Sequence, residues 1–276
     1  MTQQINHSHK AIILAAGVGS RIRPLTDDCP KSLLIVEGIA ILERMIRNCQ
    51  NCGIAEFIIV VGYLEERIRR FVSTTFPELQ VTFVANDRYT ETNTGYSLML
   101  AAQAVGNTSF IKFDADVVFD PEILRRLIAS DFQNALCIDR DIQLDAEEVK
   151  VIVDDQLRVL QASKSIDPKI AYGESIGVEK ICAATAKLLF AELTLMMGQS
   201  GHLQDYYEAA YEWLMTRGTE FRALDITGLD WTEIDTHDDF AAANRMFSNE
   251  VEKKKTNASN TSAKSGAVPG LENMKR

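Results

Sequence analysis

The sequence predicts an α/β protein with a Rossmann-like, doubly wound and mostly parallel sheet that carries a small antiparallel β insert. Two features of the chain indicate this fold class. Up to residue 117, short apolar runs rich in β-forming residues alternate with amphipathic helical patterns, which is typical of βαβ units. After residue 117, several β-rich runs follow one another with only short polar links, which is typical of antiparallel strands.

The parallel strands are predicted from four near-continuous apolar runs, because strands that are buried on both faces lack the usual polar alternation. These runs cover residues 11–16, 56–63, 80–86 and 109–116. The helical patterns between them are long enough for right-handed crossover connections, and they cover residues 40–52, 65–76 and 95–105.

Asp120 and Pro121 predict the start of a helix that runs to about Ser130, since aspartate is a preferred N-cap and proline suits the first helical position. Thr236, with Asp239 three residues later, predicts the start of a final helix in the same way. Between these two starts, the sequence predicts strands of the insert over residues 134–139, 148–153, 158–164 and 174–182. Two helices are then predicted over residues 183–197 and 205–216, followed by a late strand over 221–227 and an extended segment over 231–235.

The chain of 276 residues has a formal net charge of −10. The sequence contains no basic stripe interleaved with aromatic residues, which argues against nucleic-acid binding and favours small ligands. It also shows no secretory segment and no apolar run long enough for a bilayer, which predicts a cytoplasmic protein without membrane insertion. Homodimer formation is left open.

Five cysteines, an odd number, fit a reducing compartment. Cys49 and Cys52 form a C-x-x-C pair at the end of a predicted helix, but no second pair completes a metal site. Buried or half-buried thiols are therefore favoured over metal or redox chemistry. From residue 248 the composition turns to Lys, Asn, Ser, Thr and Gly, and residues 248–276 are predicted to be a disordered tail, with a weak basic docking segment as the alternative.

A glycine-containing loop directly after the first strand is the strongest functional signal. Gly17 and Gly19 let the backbone approach a ligand, and successive N–H groups of such a loop can cradle phosphate oxygens. Ile22 stands where a dinucleotide fingerprint requires a third glycine, and the Gly-Lys-Ser/Thr ending of a P-loop is absent. A short G-x-G alone is equally compatible with an ordinary tight turn.

The complete string is far more specific than its glycines. "LAAGVGSRIRPLT" followed by "PKSLL" resembles the signature of the nucleoside-triphosphate-dependent sugar-phosphate nucleotidyltransferase superfamily, and the resemblance runs over roughly residues 10–245. It implies the nucleotide-diphospho-sugar transferase fold and a nucleotidyltransferase domain over residues 1–247. Within that domain, the resemblance implies a nucleotide half at about 10–120 and an acceptor half at about 121–247.

The same resemblance implies the nucleotide-binding residues. Arg21 is expected to meet the β- and γ-phosphates and Lys31 the α-phosphate region, whereas Arg23 fits a surface role better. The segment after residue 86 is expected to read the nucleobase, with helix capping as the alternative role of its polar groups. The nucleotide-binding candidates are Leu14, Ala15, Ala16, Gly17, Gly19, Ser20, Arg21, Asn93, Thr94, Gly95 and Ser97.

Acidic residues are expected to hold Mg²⁺. Asp114 and Asp116 end a predicted central strand, where open α/β sheets bind ligands, and Asp116 corresponds to the metal-binding acid of the superfamily. Glu233 and Asp235 share one face of an extended segment, and the resemblance implies that Asp235, with Glu233 close behind, supplies the second metal-binding acid. Carboxylate oxygens are the ligands that Mg²⁺ prefers.

The acceptor pocket is assigned by resemblance to the β insert. Lys164 corresponds to the superfamily lysine that contacts the acceptor phosphate, and it completes the catalytic set with Arg21 and Lys31. Lys150, Glu174 and Ser175 are further candidates for acceptor binding. For both lysines the alternative is a solvated side chain on the insert.

The motifs "TNTGYSL", "DAD" and "EID" resemble the cytidylyltransferases that act on phosphocholine, aminoethylphosphonate, inositol phosphate or phosphorylated glutamine. This branch implies CTP as the donor and a small phosphorylated alcohol or phosphonate as the acceptor, giving a CDP-alcohol and pyrophosphate. The alternatives are a sugar-1-phosphate uridylyl- or thymidylyltransferase and a catalytically silent nucleotide-sensing subunit. A quaternary amine would require an aromatic cage, for which the candidates are Tyr172, Tyr206, Tyr207 and Trp231.

Overall fold

A nine-stranded mixed sheet organises the chain in a computed structural model that describes residues 9–141 and 143–248. The predicted tail lies outside these residues, apart from Ser248. In chain order, the N-terminal half contains β1 (Lys10–Ala15), β2 (Ile35–Val36), β3 (Ile39–Ala40), α1 (Ile41–Asn51), β4 (Glu56–Val61), α2 (Glu65–Thr75), β5 (Gln80–Ala85), α3 (Thr94–Leu100), α4 (Ala102–Val105), β6 (Phe110–Asp114), β7 (Val117–Phe119) and α5 (Pro121–Ala129).

The C-terminal half adds the elements of the insert and the helices that pack behind it. They are β8 (Ala135–Asp139), β9 (Lys150–Val153), β10 (Val159–Ser163), β11 (Gly173–Ile181), α6 (Ala183–Met197), α7 (Glu208–Thr216), β12 (Arg222–Asp225), β13 (Trp231–Glu233) and α8, a helix over residues 237–248.

Four parallel strands form the centre of the sheet in the order β6-β1-β4-β5. On β1, residue Ile13 pairs with Ile59 on one side and with Phe113 on the other, and all three are fully buried. The side chains of β1 alternate between two apolar clusters, one under α1, α2 and α5 and the other under α3, α6 and α7. The predicted doubly wound sheet is therefore confirmed, because both of its faces are covered by helices.

The predicted antiparallel insert is also confirmed, and β11 is its central strand. β11 runs antiparallel to β6 on one edge and to β8 on the other, and its first residues also pair with β9. The register between β11 and β8 shifts between Ser175 and Glu179, and Gly177 in that interval has a φ of 73°. This irregularity lies beside the carboxyl end of β6.

A two-stranded ladder that the sequence analysis did not predict joins the two halves of the chain. β7 pairs antiparallel with β13, and Val117 lies opposite Glu233. The Ile234 amide donates to the Asp116 carbonyl at 3.1 Å, immediately beyond this pair. The ladder places the "DAD" and "EID" segments side by side, although about 120 residues separate them in the sequence.

Both predicted helix starts are present. The Asp120 carboxylate accepts a 2.7 Å hydrogen bond from the Glu122 amide, and Pro121 occupies the first helical position. At α8, the Asp239 carboxylate accepts from the Thr236 amide at 2.7 Å, and the Asp239 amide donates to the Thr236 hydroxyl at 3.2 Å. These reciprocal bonds form a capping box.

Two predicted helices differ from the structure. The single helix expected over 95–105 is divided at Ala101 into α3 and α4, and the helix expected from residue 205 begins at Glu208. Cys49 is fully buried and Cys52 half-buried, both are free thiols, and burial raises the pKa of both. Within residues 9–141 and 143–248, no helix combines the length and the apolar composition that a membrane span needs.

Candidate active site

A cleft of about 300 Å³ opens at the carboxyl ends of β1 and β6. Leu14 and Ala15 at the end of β1 and residues 114–117 after β6 form its floor, while residues 174–177 of β11 form one wall. Parallel α/β sheets bind ligands at this edge, because the strands there diverge and leave a crevice.

The glycine loop enters the cleft directly after β1. Gly19 has a left-handed backbone with a φ of 64°, which favours glycine. A Cβ atom at this position would lie 3.1 Å from a Thr26 methyl group and 3.3 Å from the Lys31 Cβ atom. The Thr26 hydroxyl donates to the Gly19 carbonyl at 2.8 Å. The left-handed turn and the close packing against Thr26 and Lys31 therefore both favour glycine at position 19.

Lys31 lies at the centre of the cleft between two carboxylates. Its ammonium group is 2.7 Å from the Asp116 carboxylate and also pairs with Asp235. Burial alone would lower the pKa of Lys31, but the two negative charges outweigh burial and raise it. The lysine is therefore fully charged at neutral pH and held in one position.

Arg21 contacts the Asp235 carboxylate from the solvent side. Its guanidinium group lies 2.5 Å from Asp235 and 3.2 Å from Glu147. Arg23, two residues later, is an exposed partner of Asp27 at 3.3 Å and does not line the cleft.

Asp116, Glu233 and Asp235 form a group of carboxylates that could hold a metal ion. One carboxylate oxygen from each residue lies within 4.8 Å of the others. The β7–β13 ladder brings them together, and the Asp239 carboxylate fixes the backbone at Asp235 by accepting from its amide at 3.1 Å. Loss of surrounding water, together with the charges of the two aspartates, raises the pKa of Glu233 well above its ordinary value.

The three carboxylates fit the requirements of Mg²⁺. The donor set is made only of oxygen atoms, which this cation prefers. In addition, Asp116 Oδ1 is buried and has no hydrogen-bond partner among the described residues, so it is available to a cation. A buried carboxylate oxygen without a partner is costly unless a ligand satisfies it.

A buried charged network lies behind this group, and the sequence analysis missed it. Lys112 is fully buried, yet its ammonium group lies 2.8 Å from Asp114 and 3.2 Å from Glu179, and it also contacts the Tyr207 hydroxyl. The Tyr207 hydroxyl donates to Asp114 at 2.8 Å, and the Tyr211 hydroxyl donates to Glu179 at 2.9 Å. The apolar run "FIKFD" predicts a strand, and the lysine within this run is the sequence signal that indicates a buried charge.

Two further carboxyl groups line the cleft near the insert. Burial, followed by the charges of Glu148 and Asp139, raises the pKa of Glu174 to about 8. Burial is also the largest cause at Glu208, the first residue of α7, whose pKa is raised to about 8 with Glu179 and Asp114 contributing. The sequence analysis predicted Glu174 but not Glu208.

Most of the predicted site residues meet in this one cleft, although they come from distant parts of the chain. The predicted residues that line it are Leu14, Ala15, Gly17, Gly19, Ser20, Arg21, Lys31, Thr94, Asp116, Lys164, Glu174, Ser175, Glu233 and Asp235.

Ala16 and three residues of the predicted base-reading segment do not line the cleft. The Asn93 side chain caps α3 by accepting from the Thr94 amide at 2.8 Å, and the Ser97 hydroxyl accepts from Asn86 at 3.0 Å. Gly95 packs so closely that a Cβ atom there would lie 2.7 Å from the Asp205 carbonyl. Asn93 thus has the helix-capping role of the alternative interpretation, whereas Ser97 and Gly95 contact neighbouring parts of the fold.

Lys150 is not placed as predicted. It is almost completely buried, and its ammonium group donates to the carbonyls of Asp145 at 2.7 Å and Glu148 at 3.0 Å. These bonds hold the loop before β9, which carries Glu147, against the sheet. A buried lysine must find such acceptors, and the sequence gives no sign of which carbonyls they are.

Seven residues of the cleft carry a buried polar side-chain atom without a hydrogen-bond partner in the described part of the chain. They are Ser32, Thr94, Asp114, Asp116, Glu174, Ser175 and Glu208. Buried polar groups in proteins are almost always satisfied. Their concentration in one cleft indicates that a polar ligand satisfies them.

Comparisons with known proteins agree with this geometry. A CMP-5'-(3-aminopropyl)phosphonate synthase of Streptomyces rubellomurinus is 29% identical over 248 residues, which are 87% of this chain and 39% of that protein. A choline-phosphate cytidylyltransferase of Streptococcus pneumoniae is 40% identical over 107 residues, which are 39% of this chain and 44% of that protein. The matched regions span less than half the length of both relatives.

The fold also has close structural neighbours. The inositol-1-phosphate CTP transferase from T. maritima superposes with a TM-score of 0.72 at 22% identity, over 87% of this chain and 97% of that one. Residues 11–165, which contain the glycine loop, Lys31, Asp116 and Lys164, match the description of a MobA-like NTP transferase domain. The chain belongs to the family of MobA-like NTP transferase domains.

Proposed function

We propose that the chain couples CTP to a small phosphorylated alcohol or phosphonate and releases pyrophosphate. The observation that carries the proposal is the meeting of Arg21 and Lys31, from the glycine loop, with the carboxylates of Asp116 and Asp235. A site that transfers a nucleotidyl group needs fixed cations for the triphosphate and oxygen ligands for a divalent ion. The relatives named for CMP-phosphonate and choline-phosphate chemistry support CTP as the donor.

In the proposed reaction, an acceptor phosphate or phosphonate oxygen attacks the α-phosphorus of CTP in line. The new P–O bond forms as the bond between the α-phosphorus and the bridging oxygen breaks, and that oxygen leaves with pyrophosphate. The acceptor oxygen is already ionised at neutral pH, so no general base is required. Lys31 stabilises the negative charge that builds on the α-phosphate oxygens, and Arg21 holds the departing phosphates.

Asp116, Asp235 and Glu233 are the residues that would hold Mg²⁺ in this function. When bound, the ion would neutralise charge on the triphosphate and so make the α-phosphorus a better electrophile. Lys164, which lines the cleft from the insert, orients the acceptor phosphate. In this function, the nucleotide half at about 10–120 and the acceptor half at about 121–247 share one cleft. Asp235 belongs to the acceptor half by sequence but is a ligand of the proposed metal site.

The experiment that tests the donor is a competition between CTP and UTP or dTTP at equal concentration, with pyrophosphate release as the signal. Cytosine presents an amino donor where uracil presents a carbonyl, so a matched site disfavours UTP by about 10- to 100-fold. The acceptors are a panel of phospho-alcohols and sugar 1-phosphates. A clear preference for UTP or dTTP with a sugar 1-phosphate would replace this proposal by the sugar-nucleotide alternative, and no release with any pair would favour the silent subunit.

A further inference from the structure

The Lys164 ammonium group differs in its surroundings from the other cations of the cleft. Arg21 and Lys31 are each paired with carboxylates. Lys164 makes no ion pair and no hydrogen bond within residues 9–141 and 143–248, and its ammonium group instead lies 5.0 Å from the centre of the Tyr206 ring. Both residues line the cleft. Because the proposed function assigns Lys164 to the acceptor phosphate, what holds this side chain bears directly on acceptor binding.

A tyrosine ring can hold an ammonium group without using its N–H donors. The attraction comes from the negative face of the ring, whereas a carboxylate would accept the same donors that a phosphate needs. Glu174, which interacts with the Lys164 charge, has a pKa raised to about 8, chiefly by burial, and is therefore largely protonated at neutral pH. Lys164 is thus held at the cleft while its N–H donors stay available to a phosphate.

The backbone that carries the Tyr206 ring is fixed on both sides, although 41% of the residue is exposed. On one side, the Gly95 amide donates to the Asp205 carbonyl at 3.2 Å. On the other side, Tyr207 is buried, and its hydroxyl donates to Asp114 at 2.8 Å. Tyr206 therefore presents its ring to the cleft from a fixed position.

The loop that precedes Tyr206 is also joined to the segment before α3. The Asn93 amide donates to the Leu203 carbonyl at 3.0 Å, and the Gln204 side chain donates to the Glu91 carbonyl at 2.6 Å. A loop that is already held at several points loses less conformational entropy when one of its side chains makes a contact. The ring of Tyr206 is therefore suited to restrain a flexible lysine.

The other aromatic candidates do not complete a cage around the Tyr206 ring. The ring of Tyr207 lies 3.7 Å from the buried Lys112 ammonium, and Tyr172 and Trp231 do not line the cleft. The described residues therefore do not form the aromatic cage that binds a quaternary ammonium. The contact with Lys164 is the role that the surroundings of Tyr206 indicate.

We infer that Tyr206 is a positioning residue, whose ring holds the Lys164 ammonium in place to bind the acceptor phosphate. This inference rests on the proposed function, since it concerns how the same cleft binds its acceptor. The ring acts on Lys164, and Lys164 acts on the phosphate, so the rest of the acceptor does not enter. Removal of the ring should therefore weaken the binding of different phosphorylated acceptors by the same factor.

The test measures kcat and KM for three acceptors that share a phosphate: phosphocholine, phosphoethanolamine and 2-hydroxyethyl phosphate, each with saturating CTP and Mg²⁺. Tyr206→Leu should raise KM for every acceptor that is turned over by about 3- to 30-fold, the effect of losing one cation–π contact. KM for CTP should stay within about twofold. Tyr206→Phe is the matched control, because it keeps the ring and should keep the wild-type KM. A loss limited to phosphocholine would indicate an aromatic cage, and an equal loss in Tyr206→Phe would indicate the hydroxyl group; either result would overturn the inference.

A double-mutant cycle with Lys164→Met shows whether Tyr206 acts through Lys164. Lys164→Met alone should raise KM for the acceptor by at least as much as Tyr206→Leu. In the Lys164→Met background, Tyr206→Leu should change KM by less than about twofold, because the contact is already lost. Effects that multiply, or a wild-type KM in either single variant, would overturn the inference and leave the nucleotidyltransferase proposal standing.

The wild-type protein separates the two proposals. No pyrophosphate release with any nucleoside triphosphate and any acceptor would defeat the proposed function and this inference together. Melting temperatures identify a variant that fails to fold, and Tyr206→Gln then takes the place of Tyr206→Leu, since it also removes the ring.

Discussion

At the residue scale, the two carboxylate oxygens of Asp116 have different surroundings. One of its carboxylate oxygens pairs with Lys31 at 2.7 Å, and the other is buried without a partner among the described residues. We expect Asp116→Asn to lower turnover by about 10²-fold or more, because asparagine keeps the shape but removes the charge that a divalent ion requires. Pyrophosphate release measures the loss, and the melting temperature checks the fold.

The control for this substitution is Asp155→Asn, which changes an exposed aspartate of the turn before β10. It should leave turnover unchanged. Full activity of Asp116→Asn, or an equal loss in both variants, would remove Asp116 from the proposed metal site. Chelation of divalent ions should abolish the activity of the wild-type protein, and added Mg²⁺ should restore it.

The raised pKa of Glu208 predicts how the free energy of unfolding depends on pH. Its pKa is raised from the ordinary 4.5 to about 8 by burial and by neighbouring negative charges. Between these two values the folded protein binds a proton that the unfolded chain has lost, so the free energy of unfolding falls as pH rises through this window. Glu208→Gln removes the titration. The stability of the variant relative to wild type should therefore increase between pH 5 and pH 8.5 by more than about 1.4 kcal/mol, the value of one pKa unit.

Denaturant unfolding at the two pH values measures this difference. A pH-independent difference between wild type and Glu208→Gln would mean that the carboxyl group is ionised in the folded protein at both pH values.

Residues that act through a local motif could be predicted from the sequence, whereas residues that act through a distant partner could not. Arg21, Lys31 and Asp116 lie in short, specific strings, and the cleft contains all three. Glu208 escaped prediction because its place in the cleft depends on how α7 packs against β10, α6 and α3. Lys150 is a candidate for acceptor binding because it lies in the β insert, but the fold buries it, and its ammonium group donates to a carbonyl of the loop before β9.

At the scale of elements, the irregularity in β11 matters most to the cleft. Gly177 has a φ of 73°, and a Cβ atom there would lie 2.4 Å from a carboxylate oxygen of Asp114. We expect Gly177→Ala to lower the free energy of unfolding by about 2 kcal/mol or more, because left-handed strain adds to a steric overlap. It should also reduce turnover, since Asp114 must move away from Lys112.

Gly218→Ala isolates the contribution of the backbone. Gly218 has a φ of 86°, and nothing lies within 4 Å of the position of its missing Cβ atom. This variant should lose only about 1–2 kcal/mol and keep its turnover. Similar stability and turnover for the two variants, measured by denaturant unfolding and pyrophosphate release, would show that Gly177 is not needed for close packing on Asp114.

The long elements of the fold could be predicted because each carries its own pattern. All four parallel strands and α6 lie within a few residues of their predicted bounds. The three-residue strands β7 and β13 depend on each other, because two short segments form a ladder only after the sheet has brought them together. The break between α3 and α4 was missed for a related reason, since "GYSLMLAAQAV" contains no proline and its glycine lies near the start.

At the scale of the whole molecule, the candidate site assembles from both ends of the described chain. Lys31 comes from the first 40 residues, Asp116 follows the central strand, and Asp235 precedes α8. The βαβ alternation predicted a mostly parallel sheet, but it did not specify the strand order β6-β1-β4-β5. The salt bridges that link Lys31 to both aspartates could not, because nothing local in the sequence specifies contacts over 85 and 204 residues.

These salt bridges predict that nucleotide and metal ion bind cooperatively. The oxygens of Asp116 and Asp235 that pair with Lys31 become available to a cation only when Lys31 releases them, and Lys31 must leave them before it can bind a phosphate. Each ligand therefore frees groups that the other needs. Coupling of this kind is usually worth about 1–3 kcal/mol, or 5- to 150-fold in affinity, and it is reciprocal.

The shift in melting temperature measures this coupling, because a ligand stabilises the folded state according to its concentration and affinity. We expect CTP and Mg²⁺ together to raise the melting temperature by more than the sum of their separate effects. The Mg–CTP complex also forms in free solution, so the contribution of the protein must be read from variants. Lys31→Gln should abolish most of this excess, because the carboxylates of Asp116 and Asp235 are then free before either ligand binds. Arg23→Gln changes an exposed position outside the cleft and should preserve the excess. An excess that is the same in wild type and Lys31→Gln would show that the Lys31 salt bridges do not couple the two ligands.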